Sequence, residues 1–462
     1  MNIIVTEIIK IIKKSEDAIS REESLWGYLV DSFTKCIAEA FEAIDAELAD
    51  TYKAKGYQVE RRDTRTIQCI FGAVSFRRRL MKAPGKKSIY PLDVELGIVP
   101  YQRYTPYLQY CVAQIASKCV YRSAALAVNL MTPISMSHQE IGSMIKRAGE
   151  QYKAWEKAEE GAEPAENAEL KQPEILYIEG DGVAIKGQGQ GKREIHRFQI
   201  AEGVETCGKR HRLKGTHYFA SFSRTEAAGQ MKNYLENNYD LSKTIVISNS
   251  DGGSGYSQAV FDEIVDGSRR HEHFRDRYHV NKKVKERMNF VKKELVTKLQ
   301  QSLWRYDREA VQVVLDTAES LAADDREVEQ ITRLRGYLER NWEYIKPLEQ
   351  RGLGQYQKGI GTCESNHRLY SYRMKKQGRR WGKNGGEAMV KIITGLRNGD
   401  LCKALVEQTR NFNKKQSRLF HGAVRMALKK AKFTEHVGVQ CGRIGNYSPS
   451  SSAIGHLAKI FS

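Results

Sequence analysis

Three carboxylates, Asp181, Asp251 and Glu364, each stand at the mouth of a segment that could present them to a common site. Asp251 follows Thr244-Ile245-Val246-Ile247, a β-branched run too short and too evenly apolar for an amphipathic helix, which reads as a buried strand. Gly252, Gly253 and Gly255 come next, a turn that leaves the carboxylate uncovered and lets a bulky phosphate approach the backbone. Open α/β sheets place their chemistry at the carboxyl ends of central strands. Asp181 ends an earlier strand, residues 174–179, in Gly180-Asp181-Gly182, and Glu364 stands near the start of a helix after a Gly-flanked approach, residues 359–363. Three such groups meet the needs of two-metal phosphodiester chemistry: hard oxygen ligands for two Mg²⁺ ions about 3.5–4 Å apart, one activating the nucleophile and one stabilising the leaving oxygen. Position in the sheet makes Asp181 the bridging ligand, with Asp251 on one ion and Glu364 on the other. Each alone has a plainer reading, since Asp-Gly after a strand is most often an ordinary turn and a Glu at a helix start is most often a capping or dipole residue.

The elements that must position these groups follow one another in a telling order. Residues 174–179, 197–204 and 216–222 read as strands, 225–237 as a helix, and the strand before Asp251 is the fourth. Three strands, a helix and a strand ending in a second carboxylate is the opening order of an RNase H-like domain, in which strands one and four are neighbours, so Asp181 and Asp251 would meet. A short charged strand then ends in Asp276-Arg277-Tyr278-His279 at the mouth of a basic helix. Residues 281–351 are almost wholly helical and charged, an insertion that separates Asp251 from Glu364. Beyond Glu364, residues 365–383 hold Arg368, Arg373, Lys375, Lys376, Arg379, Arg380 and Lys383 with Tyr370, Tyr372 and Trp381 interleaved and no acid. Phosphate contact with base stacking explains that composition more directly than a solvated face does.

Upstream, apolar residues recur at three and four through residues 3–55, which predicts helices forming a bundle or a dimerising arm. Residues 64–81 change to short β-rich runs around Phe71-Gly72, a hairpin whose edge carries Arg77, Arg78 and Arg79; such a triplet is as often a solvated face as a phosphate contact. Residues 106–117, 123–131 and 137–148 read as three helices, the last capped by Ser137 with Glu140 completing a capping box. That is a helix-turn-helix layout, although any three-helix core shows the same period, and its groove-facing residues would include His138, Gln139, Ser143, Lys146 and Arg147. Residues 157–173 are Glu- and Ala-rich with two prolines and no apolar period, a polar linker or an exposed helix end.

The whole chain of 462 residues holds 75 Lys and Arg against 56 Asp and Glu, a net charge of +19 that points to a polyanion, nucleic acid before acidic membrane. No stretch approaches the ~20 apolar residues of a membrane span. The eight cysteines form no CxxC pair and no secretory signal opens the sequence, so free thiols in a reducing cytoplasm are expected and a Cys-based zinc module is not.

Asp181 in YIEGDG, Asp251 in SNSDGG, the Asp276-x-x-His279 element, the helical insertion and Cys363-Glu364 followed by RMKKQGRRW together resemble the ISLre group of bacterial insertion-sequence transposases, within the DDE superfamily that includes Mutator-like elements. The resemblance covers most of the chain, including a hairpin with Pro91-Leu92-Asp93 and the helix-turn-helix. It implies an RNase H-like catalytic domain using Mg²⁺ or Mn²⁺ that cuts DNA at element ends and joins it to a target. It also implies double-stranded DNA as partner, in the form of terminal inverted repeats and target, and a homodimer or larger assembly on it. Asp276 and His279 match the superfamily's C/D-x-x-H element, with an auxiliary role.

The expected organisation is an α/β RNase H-like catalytic domain with an all-α insertion, preceded by a helical arm, a β-hairpin region and a helix-turn-helix. The segments are arm 1–55, hairpin region 56–100, helix-turn-helix 101–156, linker 157–173, catalytic core 174–283 and 356–398, insertion 284–355, and a basic helical tail 399–462. Three rival readings remain: a nuclease or resolvase with the same triad and no joined product, a DNA-binding regulator whose carboxylates need not converge, and a zinc protein using His271, His273 and His279.

Overall fold

The computed structural model describes residues 3–161, 169–189, 191–207, 210–253, 255–359 and 363–412. It divides into two compact units, one within Met1–Tyr107 and one spanning Leu108–Gln408.

In the first unit the helical period gives α1 (Ile3–Lys14) and α2 (Ala18–Ala54). Asp17 starts α2 by accepting from the Ser20 amide at 2.8 Å. β1 (Gln58–Cys69) and β2 (Gly72–Lys82) form an antiparallel hairpin, and its inward residues Val74 and Phe76 pack with Leu92 against Phe41, Ile44 and Leu48 of α2. The two-residue period of β2 corrects the expected basic edge. Arg78 points inward, bonded to Asp93 with its guanidinium 3.7 Å over the Tyr90 ring, and Arg79 pairs with Asp45 at 2.6 Å. Of the three arginines Arg77 alone is exposed. Asp93 belongs to a one-turn helix, α3 (Pro91–Glu95), rather than to the hairpin.

The second unit begins with α4 (Pro106–Ala116), α5 (Tyr121–Met131) and α6 (His138–Glu160). Ser137 caps α6, and its backbone amide donates to Glu140 Oε2 at 2.9 Å. A sheet follows, built from β3 (Ile175–Lys186), β4 (Lys192–Ala201), β7 (His217–Ser221), β8 (Ile245–Ser250) and β9 (Arg270–Arg275), with β5 (Gly203–Cys207) and β6 (Arg210–Lys214) forming a separate small hairpin. The strand order is β7-β4-β3-β8-β9; β4 runs antiparallel to both neighbours and β8 parallel to β3 and β9. One face, with Leu176, Ile178, Phe198 and Val246, is covered by α7 (Arg224–Asn238) and α8 (Gln258–Ile264) through Met231, Leu235 and Phe261.

The other face is apolar only at one end, where Ile175, Tyr177, Ile247 and Phe274 meet Leu348 and Leu353. Those two leucines return from the helical insertion, α9 (Arg277–Arg287), α10 (Lys293–Arg305), α11 (Arg308–Ser320) and α12 (Asp325–Arg340), whose own core joins Val280 and Val284 to Leu299, Leu315, Leu334 and Leu338. The chain then forms α13 (Cys363–Met374), which packs against β3, α14 (Lys383–Asn398) and α15 (Leu401–Phe412).

Two expected boundaries change. α6 runs to Glu160, past the expected start of the linker, and packs on α14 so closely that a Cβ on Gly149 would lie 2.5 Å from the Ala388 Cα. The three-helix segment is therefore continuous with the sheet-bearing unit rather than a domain of its own. The start of the expected tail, Leu401, Cys402 and Leu405, is buried, and residues 413–462 lie outside the described residues.

Candidate active site and nucleic-acid interface

β3 and β8 share a parallel register whose last pair is Gly180↔Ser250, and the residue after each is a carboxylate, Asp181 and Asp251. β3 does not stop there. It continues antiparallel to β4 through Asp181↔Arg197 to Lys186, so Asp181 is a buried mid-strand residue rather than the strand end that its flanking glycines suggest. Gly180 answers to packing: a Cβ there would come within 2.7 Å of the Phe198 ring. β8 does stop at Ser250, and Asp251 takes the amide of Gly253 at 2.8 Å. Gly252 has φ of 77°, and a Cβ there would stand 1.6 Å from Arg275 Nη1, so both backbone and space demand glycine.

Residues two apart on a strand share a face, and on this face the polar groups form one line. Gln199 Nε2 donates to Glu179 Oε2 at 2.7 Å, and Asn249 Nδ2 lies 3.4 Å from Glu179 Oε1 and 3.3 Å from Asp276 Oδ2. Arg197, wholly buried, donates to Gln199 at 2.9 Å. Asp276 caps α9, accepting from Tyr278 N and His279 N at 2.7 and 3.2 Å. Burial works to raise the Asp276 carboxyl, but His279 and Asn249 hold it below the usual range. His279, with Nδ1 3.5 Å from Asp276, is raised by that contact despite burial and further by Asp181 and Asp251. Three carboxylates therefore act on one imidazole.

Glu179, Gln199, Asn249 and Arg197 were not among the expected site residues. The sequence does hold a signal for Glu179, a charge directly after the apolar run Ile175-Leu176-Tyr177-Ile178 and before Gly180-Asp181; such a residue on a central strand must have polar partners.

Glu364 is the second residue of α13, the helix that packs on β3, but its side chain lies outside the described residues. Among the described residues no three His, Cys, Asp or Glu side chains form a set that could hold a metal ion. Two histidines of the zinc reading, His271 and His273, are bonded otherwise. Ser248 Oγ lies 2.7 Å from both His271 Nε2 and His273 Nδ1, and His271 Nδ1 is 2.5 Å from Asp262.

The basic segment after Glu364 splits in two. Arg368, Lys375, Lys376, Arg379 and Arg380 are exposed. Arg373 is not: its Nε donates to Ala116 O at 2.7 Å, and its guanidinium lies 5.3 Å from the Tyr121 ring and 4.9 Å from the Trp381 ring. Trp381 is buried too, bonded through Nε1 to Met374 O at 3.0 Å, and Tyr370 is fully enclosed. The expected phosphate contact by Arg373 and base stacking by Trp381 are thus corrected, because this pair fastens the segment to α4 and α5. His138, Gln139, Lys146 and Arg147 all lie exposed on α6.

The molecule is an α/β protein with carboxylates at the ends of the register between two adjacent parallel strands, and among its described residues no helix is long and apolar enough to cross a membrane. Residues 18–411 match the uncharacterised protein family UPF0236, and the chain belongs to that family. A Streptococcus gallolyticus relative, a UPF0236 protein in the vanSb 3′ region, is 37% identical over 458 residues, covering 99% of each chain. A Caldanaerobacter subterraneus relative is 24% identical over 438 residues, 93% of this chain and 85% of its own, and its name strings together eleven locus designations. Another from the same organism is 26% identical over 439 residues, 93% and 86% of the two chains.

Proposed function

We infer that this protein is a DDE transposase with an RNase H-like catalytic domain, which cuts DNA at the ends of an insertion sequence and joins it to target DNA in the bacterial cytoplasm. The observation that carries the reading is the β3–β8 register, which sets Asp181 beside Asp251, with the helix of Glu364 packed on the same strand. The eleven designations under one relative's name support it, since a gene present in many copies in one genome is what a self-inserting element leaves.

An oxygen-only donor set from Asp181, Asp251 and Glu364 fits hard divalent cations, Mg²⁺ or Mn²⁺, and excludes the soft-ligand chemistry of a zinc module. Such ions, when bound, activate the attacking oxygen and stabilise the leaving one. The chain's own part is positional. Glu179 and Asn249 fix the sheet face behind the two aspartates, and Arg275 seated on Gly252 fixes the turn that carries Asp251. Asp276 and His279 hold the start of α9 against the same carboxylates. Arg368, Lys375, Lys376, Arg379 and Arg380 hold a DNA strand by its phosphates, Arg77 adds a contact in the hairpin unit, and His138, Gln139, Lys146 and Arg147 present α6, the second helix of a helix-turn-helix, to duplex DNA. Two element ends call for two copies of the protein, and the exposed Ile4, Ile12, Trp26, Leu29 and Phe33 of α1 and α2 support self-association.

The test is incubation of the purified protein and Mg²⁺ with DNA carrying the inverted repeats that flank its gene, with sequencing of any junctions. Junctions are expected. Nicks without junctions would favour a nuclease or resolvase, and binding with neither would favour a regulator.

A further inference from the structure

We propose that the cleft between the amino ends of α6 and α14 is a phosphate clamp for a DNA strand, with Arg122, Lys146, Arg379 and Arg380 as its jaws. The proposal rests on the nucleic-acid reading above and adds to it a defined seat and a residue, Arg122, that no sequence motif marked. The cleft holds about 460 Å³, within the size range of small-ligand sites, and among the described residues no carboxylate lines it. Among the described residues none of the four cations has an ion-pair partner, and all four are exposed. About two turns further along α6 the pattern reverses, where Lys153 pairs with Glu226 at 2.8 Å and Glu387 at 3.6 Å. Unpaired cations converging on one cleft, in a protein that pairs its cations next door, lack the counter-charge that a bound anion would supply.

The backbone adds to the field. α14 starts at the cleft with Gly382 as a cap that offers no side-chain bond and no acid in its first turn, so its free amides and dipole favour an anion there. Gly385 leaves its first turn open, with Lys146 Cε as the nearest atom to a Cβ at 3.6 Å. Beneath, Trp381 is pinned to β3 through Trp381 N to Lys186 O at 2.9 Å and Gln188 N to Trp381 O at 3.0 Å, and the buried Arg373 stiffens the floor. Arg122 and Lys146 are carried on α5 and α6, and Arg379 and Arg380 on a short loop held beside them by the Trp381 bonds, so the four can fix a strand's position rather than merely attract it.

The experiment measures binding of the full chain to a labelled duplex and to a labelled single strand across a salt series, for wild type, Arg122→Ala/Arg380→Ala and Lys153→Ala. Two lost phosphate contacts should flatten the duplex salt slope by about 1.8, and a single-strand slope by about 1.4. Lys153→Ala should leave both slopes unchanged. Gly385→Asp, which adds a negative charge at the open helix end, should weaken binding on both DNAs at least tenfold, with an unchanged thermal midpoint showing that the fold is intact. An unchanged slope in the double variant, or an equal loss in Lys153→Ala, would overturn the clamp while leaving the transposase reading in place. A wild-type protein that binds neither DNA would sink both.

Discussion

Asp181 and Asp251, seventy positions apart in the chain, each stand one residue beyond Gly180↔Ser250, the last parallel pair between β3 and β8. The register of two strands, not any local motif, makes them neighbours. Asp181→Asn should abolish Mg²⁺ or Mn²⁺ binding in isothermal titration and stop DNA cleavage, while DNA affinity stays within about twofold because the cationic residues are elsewhere. Full metal binding in that variant would remove Asp181 from the site. Glu364→Gln should behave in the same way.

The turn after Asp251 depends on a residue without a side chain. Gly252→Ala should cost about 1–3 kcal/mol of stability from backbone strain alone, and should also displace Arg275 from its seat. Weakened metal binding in titration together with a lower unfolding midpoint is the expected result. An alanine variant with wild-type stability would show that the loop has another low-energy form.

Burial lowers the His273 imidazole to about 3, so it stays neutral in the folded protein through mildly acid conditions. Its ordinary value is near 6.5, so between about 6.5 and 3 the unfolded chain binds a proton that the folded chain does not. Stability should therefore fall as pH drops through that window, by about 1.4 kcal/mol per pH unit from this group. Denaturant unfolding at pH 7, 6 and 5 checks the slope, which should shrink in His273→Gln.

Lys391 is fully buried and held by Glu156 at 2.7 Å and Gln230 at 3.0 Å. Breaking one side of such a pair leaves an uncompensated charge inside, so Glu156→Gln should destabilise by roughly 3–5 kcal/mol. Replacing both, as Glu156→Leu with Lys391→Met, should recover most of that loss. If the double variant is no more stable than the single one, the pair is contributing more than its own neutralisation.

Gln139 stands exposed on α6; in protein–DNA recognition generally, base-edge contacts specify a sequence while phosphate contacts only position the protein. Gln139→Ala should lower affinity for the terminal repeats by about 1–3 kcal/mol and leave random DNA almost unchanged. Equal loss on both would move recognition to another surface.

Local signals along the chain marked many of the elements, though not the β5–β6 hairpin or the continuation of β3 to Lys186. Apolar spacing marked α2 and the insertion, β-branched runs marked β8, and Ser137 with Glu140 marked the start of α6, because these signals are local and depend on period and capping alone. Composition likewise marked the cationic segment after Glu364. Which of those residues face solvent and which meet depends on how the elements pack. Arg78, Arg373 and Trp381 look like their exposed neighbours in the sequence, yet strand alternation and packing against α3, α4 and α5 bury them. Glu179, Asn249 and Asp276 form one polar line only because β3, β8 and β9 are adjacent. Arg122 and Arg380 line one cleft because α5 and the segment before α14 fold together. Burial and long-range register depend on partners distant in sequence, and no window along the chain contains them.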